Sequence, residues 1–478
     1  VTATGVAGVG TLRLDVKASG TEIVDGSANA LAAGFTLGQP YTHTSGSVAV
    51  SWGDNGFGQL GNNSTTASSV PLDLLGTGAL AGKTVVAVAL GFEHSLALCS
   101  DGTVAAWGRN MGGQLGNNST TSSSVPVAVS MIGGTSALAG KTVVAVAAGE
   151  SYSLALCSDG TVAAWGRNSF GQLGNNSTTD SLVPVAVNTA SGTSALSGKT
   201  VVAVSAGTVH SLALCSDGTV AAWGFNTYGS LGNASTAPSG VPVAVNTGSG
   251  TSALSGKTVV AVSAGGRHSL ALCSDGTVAA WGSNDLGQLG NNSAPDSPVP
   301  VAVNTGSGTS ALSGKTVVAV AAGGRHSLAL CSDGTVAAWG SNDSGQLGNN
   351  SAPDSPVPVA VNTGSGMSAL SGKTVVAVSA GGRHSLALCN DGTVATWGNN
   401  RYGELGNNST TDSLVPVAVN TASPSALSGK IVSFIGTGGL AYHTLALASP
   451  PPPVTVTAVS TPAAGSYKAG DTLNFTLT

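Results

Sequence analysis

The chain has 478 residues, of which 70 are glycine and only 8% are charged, and its formal net charge is −5. So small and diffuse a charge excludes electrostatic steering of a polyanion, and 41% hydrophobic residues, mostly Ala and Val, exclude simple disorder. No apolar run approaches the ~18 residues of a bilayer span, and no charged-then-apolar leader opens the sequence. The composition reads as a turn-rich, all-β segment of something longer.

In chain order, residues 1–45 contain no repeated segment. From residue 46 a single unit recurs. Its cysteines, Cys99, Cys157, Cys215, Cys273, Cys331 and Cys389, stand at one spacing of 58, and its tryptophans run Trp52, Trp107, Trp165, Trp223, Trp281, Trp339 and Trp397. The unit from residue 316 reads TVVAVAAGGRHSLALCSDGTVAAWGSNDSGQLGNNSAPDSPVPVAV and holds four strand candidates: TVVAVAA, HSLALC, TVAAWG and PVAV. The first is apolar at successive positions, which predicts burial of both its faces. Asp333-Gly334 predicts a two-residue hairpin turn between the second and third strands, because Gly and Asp tolerate positive φ. Asn349-Asn350-Ser351 marks a longer loop, and Pro358, which cannot donate to a ladder, places the fourth strand at the outer edge.

Four-stranded sheets covered on both faces by copies of themselves form a propeller. The third and fourth strands occur seven times, starting with SVAVSWG, and the first and second also seven times, ending with IVSFIG and HTLALA, but the Asp-Gly turn occurs only six times. The missing turn falls where HTLALA would meet SVAVSWG. The predicted fold is therefore all-β, a seven-bladed β-propeller over 46–448 with four-stranded blades, whose closing blade takes strands from both chain ends. A proline linker, 449–453, comes next, and residues 454–478 again break the repeat.

WG-x-N-x-x-GQLG (Trp281 to Gly290), GG-x-HSLAL-x-x-DG and the V-P edge strand resemble the regulator of chromosome condensation repeat. Gly229-Ser230-Leu231-Gly232 and Gly403-Glu404-Leu405-Gly406 depart from GQLG, Tyr152 replaces the His once, and a loop such as NTGSGTSALSGK lengthens the unit. The resemblance implies a propeller that binds partners through its faces; family roles include nucleotide exchange on a small GTPase with chromatin binding, plant ultraviolet-B sensing, and β-lactamase inhibition. The photoreceptor's Trp in G-W-R-H is Gly266, Gly324 and Gly382 here, so its chromophore cluster is absent, and no inserted wedge or basic tail of an exchange factor is visible. VTVTAVSTPAAGSYKAGDTLNFTLT resembles the opening strands of a bacterial immunoglobulin-like domain, and GTLRLDVKASGTEIVDGSANALAAGFTLGQPYT its closing part. Residues 1–45 and 454–478 are thus expected as partial β-sandwich segments, completed by strand addition between copies or within one chain.

Equivalent blade positions lie about 10 Å apart, beyond disulfide reach, so six free buried thiols are expected. No C-x-x-C or zinc spacing occurs, and no metal or cofactor is expected. His268 and Cys273 are separated by an odd number of positions and point to opposite faces, which removes a Cys–His nucleophile. The repeated His reads as a structural hydrogen-bonding residue, the tryptophans as inter-blade packing, and Asn-x-Ser/Thr as turn residues. Differences between blades carry the functional signal. Arg267, Arg325 and Arg383 precede the His in consecutive blades and predict a basic arc, with Asp285 and Asp343 near enough to neutralise it. Phe225, Tyr228, Arg401 and Tyr402 sit in loops predicted to share that face, and Tyr and Arg are favoured interface anchors. The reading is a non-enzymatic structural or interaction module of a large bacterial extracellular or cell-surface protein, serving self-assembly into fibres or adhesion. The alternatives are a specific protein-binding or inhibitory propeller and, less favoured, an exchange factor. Its partners are proteins, copies of itself included; no nucleic acid and no membrane span are expected.

Overall fold

A computed structural model of the chain describes residues 48–451. The repeat beginning at residue 316 forms strands Val317–Ala322, His326–Cys331, Val336–Gly340 and Ser355–Ala360, paired antiparallel in that order. Seven such four-stranded sheets are present among the described residues. The closing sheet runs Ile431–Gly436, His443–Ser449, Val48–Gly53, Ser68–Asp73, so its two middle strands come from opposite ends of the described chain. They pair from Val48 opposite Ala448 to Gly53 opposite His443. First strands of consecutive blades pack on one another around the axis, and Ile431–Gly436 touches Val85–Leu90, which closes the ring.

Each junction between blades has its own apolar core. Trp339, Cys331 and Ala329 of one blade pack against Leu270, Leu272 and Ala280 of the blade before. All seven tryptophans are fully buried, each contributing on the order of 1.5–3 kcal/mol by burial. The indole is also anchored: Trp339 Nε1 donates to the Gln288 carbonyl of the preceding blade at 2.9 Å. Gly290, at φ +64°, lies flat against that indole, where any Cβ would strike Cδ1 and Nε1. The Gly-Gln-Leu-Gly loop is therefore the clasp that one blade lays over the tryptophan of the next. All six cysteines are free and buried, and burial raises their thiol pKa values.

Three local expectations are corrected. Burial of the first strands differs between blades: Val317–Ala322 is buried at all but Val318, whereas Val144, Ala145, Val146 and Ala147 are only partly buried where that strand faces the axis. The Asp-Gly hairpin is not a two-residue turn: Ser332, Asp333 and Gly334 form the loop. Gly334 alone is left-handed, at φ +81°, its N–H donates to Cys331 O at 2.9 Å, and Cys331 N–H reaches Thr335 O. Asp333 keeps negative φ because its carboxylate accepts from the Thr335 amide and hydroxyl. The outer strand begins before Pro358 and is covered from neighbouring blades: Ala311 N–H donates to Pro358 O at 2.9 Å and Asn292 N–H to Pro356 O at 3.0 Å. Asn292 is left-handed, at φ +58°, which gives the repeated Asn-Asn pair its turn role. The lengthened NTGSGTSALSGK loop supplies the Ala311 contact, so the extra residues protect a sheet edge. The predicted partial sandwiches at 1–45 and 454–478, and the linker beyond Pro451, lie outside the described residues.

Candidate partner-binding face

Sheet direction places the first-to-second-strand turns and the third-to-fourth-strand loops at one end of the propeller. The Asp-Gly turns lie at the other end, as do the exits of Val48 and Ser449. That far end is self-neutralised: Lys315 pairs with Asp333 at 2.9 Å, the same pair recurs from Lys83–Asp101 to Lys373–Asp391, and Lys430–Asp73 at 3.3 Å takes its place in the closing blade. These pairs are exposed and contribute little each.

The near end rests on a closed belt of buried polar groups. His94, His210, His268, His326, His384 and His443 each reach a hydroxyl of the following blade through Nε2, at 2.8–3.1 Å. Tyr152 fills the seventh position, donating to His210 O at 2.5 Å and accepting from Ser211 at 3.0 Å. Ser327 spends its proton on Gln288 O at 2.9 Å, so His268 must donate to it, which fixes the proton on Nε2. Nδ1 of His94, His268, His326, His384 and His443 is left buried without a partner. Burial holds the imidazoles far below their usual range, at about 3 for His94, His268, His326 and His443 and about 4 for His210 and His384. They are neutral structural groups.

The third-to-fourth-strand loops are shaped by the asparagine of the WG-x-N motif, to which the sequence alone assigned no role. Asn342, fully buried, accepts the Leu347 N–H at 2.9 Å through Oδ1 and donates through Nδ2 to Asn349, Ser351 O and Pro353 O. Asn55, Asn110, Asn168, Asn226, Asn284 and Asn400 repeat the arrangement. Its signal was the invariant second residue after each Trp-Gly.

On this base the turns and loops enclose an axial cup of about 460 Å³, lined by Arg267, Arg325, Arg383, Tyr228, Tyr442, Phe92, Glu150 and Leu440 among others. Four of the seven predicted residues, Arg267, Arg325, Arg383 and Tyr228, line it; Phe225 and Tyr402 pack against its lining residues Tyr228 and Tyr442, and Arg401 against Tyr402. Phe225 packs edge-to-face on Phe170 at 5.0 Å between ring centres and tilted against Tyr228 at 6.0 Å. Arg401 lies over the Tyr402 ring, which meets Tyr442, which in turn meets Phe92. The predicted basic arc is largely neutralised: Arg383 pairs with Asp343 at 3.3 Å and Arg325 with Asp285 at 3.8 Å. Arg267 instead stacks over Tyr228 at 5.0 Å and donates to its hydroxyl at 3.0 Å.

Two features narrow the cup. Gly266 N–H donates to Gly323 O at 3.0 Å, and a Cβ at Gly266 would collide with the Gly324 carbonyl, so these two turns pack closer than a larger residue allows. In the closing blade the turn is longer, and a Cβ built on Gly439 would crowd the Ala264 and Ala322 carbonyls of two other blades, so this turn leans in over the axis. At the rim, Glu404 stands where most other blades have Gln. Its Oε2 accepts the Tyr402 N–H at 2.8 Å, and Oε1 is buried without a partner. Burial pushes this carboxyl up to about 7.

Among the described residues no group of three or more His, Cys, Asp or Glu is placed to hold a metal ion, and no helix is long and apolar enough to cross a membrane. Comparison with known proteins identifies an RCC1-like domain over residues 190–450 and regulator of chromosome condensation (RCC1) repeats over 51–98, 101–156 and 159–214. The chain is 32% identical over 387 residues to the ultraviolet-B receptor UVR8 of Arabidopsis thaliana, covering 81% of this chain and 80% of that protein. It is 33% identical over 403 residues to the human E3 ubiquitin-protein ligase HERC2, covering 84% of this chain but only 8% of that much longer protein. Among solved structures, human WBSCR16 superposes with a TM-score of 0.70 at 24% identity, covering 85% of this chain and all of that one. Yeast RCC1 (Prp20), solved with Kap60, gives 0.70 at 21%, covering 93% and 96%. Repeat, ring closure and relatives agree: the chain belongs to the regulator of chromosome condensation repeat family.

Proposed function

We propose that this propeller is a non-catalytic protein-binding module that receives its partner in the axial cup. The observation that carries this reading is the asymmetry of the two ends: the Asp-Gly end is tied off by Lys–Asp pairs, while the cup end gathers Arg267, Tyr228, Tyr442 and Phe92 around a concave floor. Arginine and aromatic side chains over a rigid base are the residues that anchor protein interfaces. Its likeness to a protein named as a receptor supports an interaction role. Light sensing is not part of the proposal, because the turns at Gly266 and Gly324 leave no room for a ring.

The setting in a bacterial extracellular or cell-surface protein, with self-assembly or adhesion, rests on residues 1–45 and 454–478, and surface labelling of the native protein tests it. For the binding role, Arg267, Arg325 and Arg383 are reversed to Glu together, and Lys257, Lys315 and Lys373 are reversed in a second variant. Partner capture by the native protein is expected to survive the second set and to fail with the first; equal retention by both variants removes the cup from the account.

A further inference from the structure

The arginines of the cup are not equivalent, and the difference originates in one blade. In two blades an aspartate follows the buried asparagine and is held in place. Asp285 accepts from Gln288 Nε2 at 2.8 Å and Ser283 Oγ at 3.2 Å, and Asp343 accepts from Gln346 Nε2 at 3.0 Å. Each then faces the arginine of the next blade. In the blade before Arg267 the corresponding residues are Thr227 and Ser230. No carboxylate is fixed there, and Ser230 Oγ instead donates to the Arg267 carbonyl at 2.8 Å, pinning the backbone of the turn. The guanidinium lies on the Tyr228 ring with one N–H on the phenol oxygen. A guanidinium has five N–H donors in a fixed fork, so the rest remain for a planar oxyanion. The phenol face limits side-chain freedom, and Leu286, at the equivalent position of the next blade, adds an apolar side chain to the cup lining.

Resting on the protein-binding reading above, we infer that Arg267 and Tyr228 form a carboxylate anchor, which takes an acidic side chain of an extended partner peptide with an apolar residue beside it. The rest of the lining argues for a single carboxylate and against a polyanion. Three guanidiniums face four carboxylates, Glu150, Asp285, Asp296 and Asp343, so a phosphate-rich chain meets net repulsion. Charge-assisted, bidentate contact of Arg with carboxylate is stronger than a neutral hydrogen bond, and the Arg325–Asp285 and Arg383–Asp343 pairs hold the other two cations back.

The test is selection of a random linear peptide library, displayed on phage, against the whole chain. Affinity of the enriched peptides is then measured by fluorescence polarisation. Peptides that need the cup are expected to carry Asp or Glu within two positions of an aromatic or aliphatic residue. R267Q, and replacement of that acid by its amide, are each expected to weaken binding at least tenfold, and the two together no further. D285N, which releases Arg325, is expected to tighten binding at least threefold, and 10 mM inorganic phosphate to leave it unchanged. Cup-binding peptides without acid enrichment, or with affinity unchanged in R267Q, overturn the carboxylate anchor and leave the binding reading standing. Competition by phosphate also overturns it, in favour of a general anion site. A library that yields no cup-dependent peptide overturns both readings.

Discussion

Acidification to pH 5.5 should cost this propeller far more stability than its surface charge implies, because six imidazoles in the inter-blade belt are held at about 3 or 4 in the folded chain. Unfolded, each takes a proton near pH 6.5. Below that value the unfolded chain binds more protons than the folded one, so stability falls as pH falls, until the folded values are reached. Since 5.5 lies above all six folded values, the loss depends mainly on the unfolded one: from pH 7 it is about 1.3 kcal/mol per histidine, or ~8 kcal/mol for the six. Glu404 opposes this. Its carboxyl, raised to about 7, is protonated in the folded chain before it is in the unfolded one, and returns about 1.6 kcal/mol over the same interval. The net loss is about 6 kcal/mol, comparable to the whole stability of many domains. Denaturant titrations at the two pH values measure it, and unfolding at pH 5.5 should take up about four to five protons. His268→Tyr, patterned on Tyr152, should remove about one sixth of the histidine loss. An unfolding free energy that stays within about 1 kcal/mol between pH 7 and 5.5 would refute the neutral belt.

Three further outcomes are expected. Asn342→Ala strands the Leu347 N–H and two carbonyls in a buried loop and should cost about 3 kcal/mol or more in denaturant unfolding. Glu404→Gln restores a neutral group at the clasp and should stabilise the protein by about 3 kcal/mol at pH 8 and little at pH 4, since the wild-type loss develops as pH rises from 4.5 towards 7. Lys315→Ala, on the self-neutralised end, should change the melting free energy by less than about 1 kcal/mol, because the Lys315–Asp333 pair is exposed.

The ring was legible because its largest residues are metronomic. Trp52 to Trp397 mark the blades, and the absent Asp-Gly turn between HTLALA and SVAVSWG located the closing blade without any coordinate. Outer strands were legible through Pro358, whose missing N–H admits only an edge. What sequence alone did not reveal depends on register between blades. Asn342 had no legible role beyond its place in WG-x-N, since its four partners are scattered over eleven positions. Arg267 looked equivalent to Arg325 and Arg383 because each arginine's partner belongs to the preceding blade. Several first strands, such as Val143–Ala148, are only partly buried although they read as buried on both faces, because small apolar residues suit a narrow axial channel as well as a core. The Asp-Gly turn was misjudged for a different reason: the Asp333 side chain, satisfied by Thr335, stabilises a right-handed residue that the dipeptide alone does not demand.

All placements depend on strands from the two ends of the described chain lying side by side in one blade. Val48 faces Ala448 across that pair, and directly opposed antiparallel residues stand about 4.5–5.5 Å apart at Cα, within disulfide reach. Val48→Cys combined with Ala448→Cys, oxidised in dilute solution and mapped by mass spectrometry, is the direct measurement. The closed ring predicts an intramolecular 48–448 disulfide that stabilises the fold by up to about 6 kcal/mol, by removing the entropy of so long a loop. Thiols that stay reduced, or that link only between molecules, would contradict it.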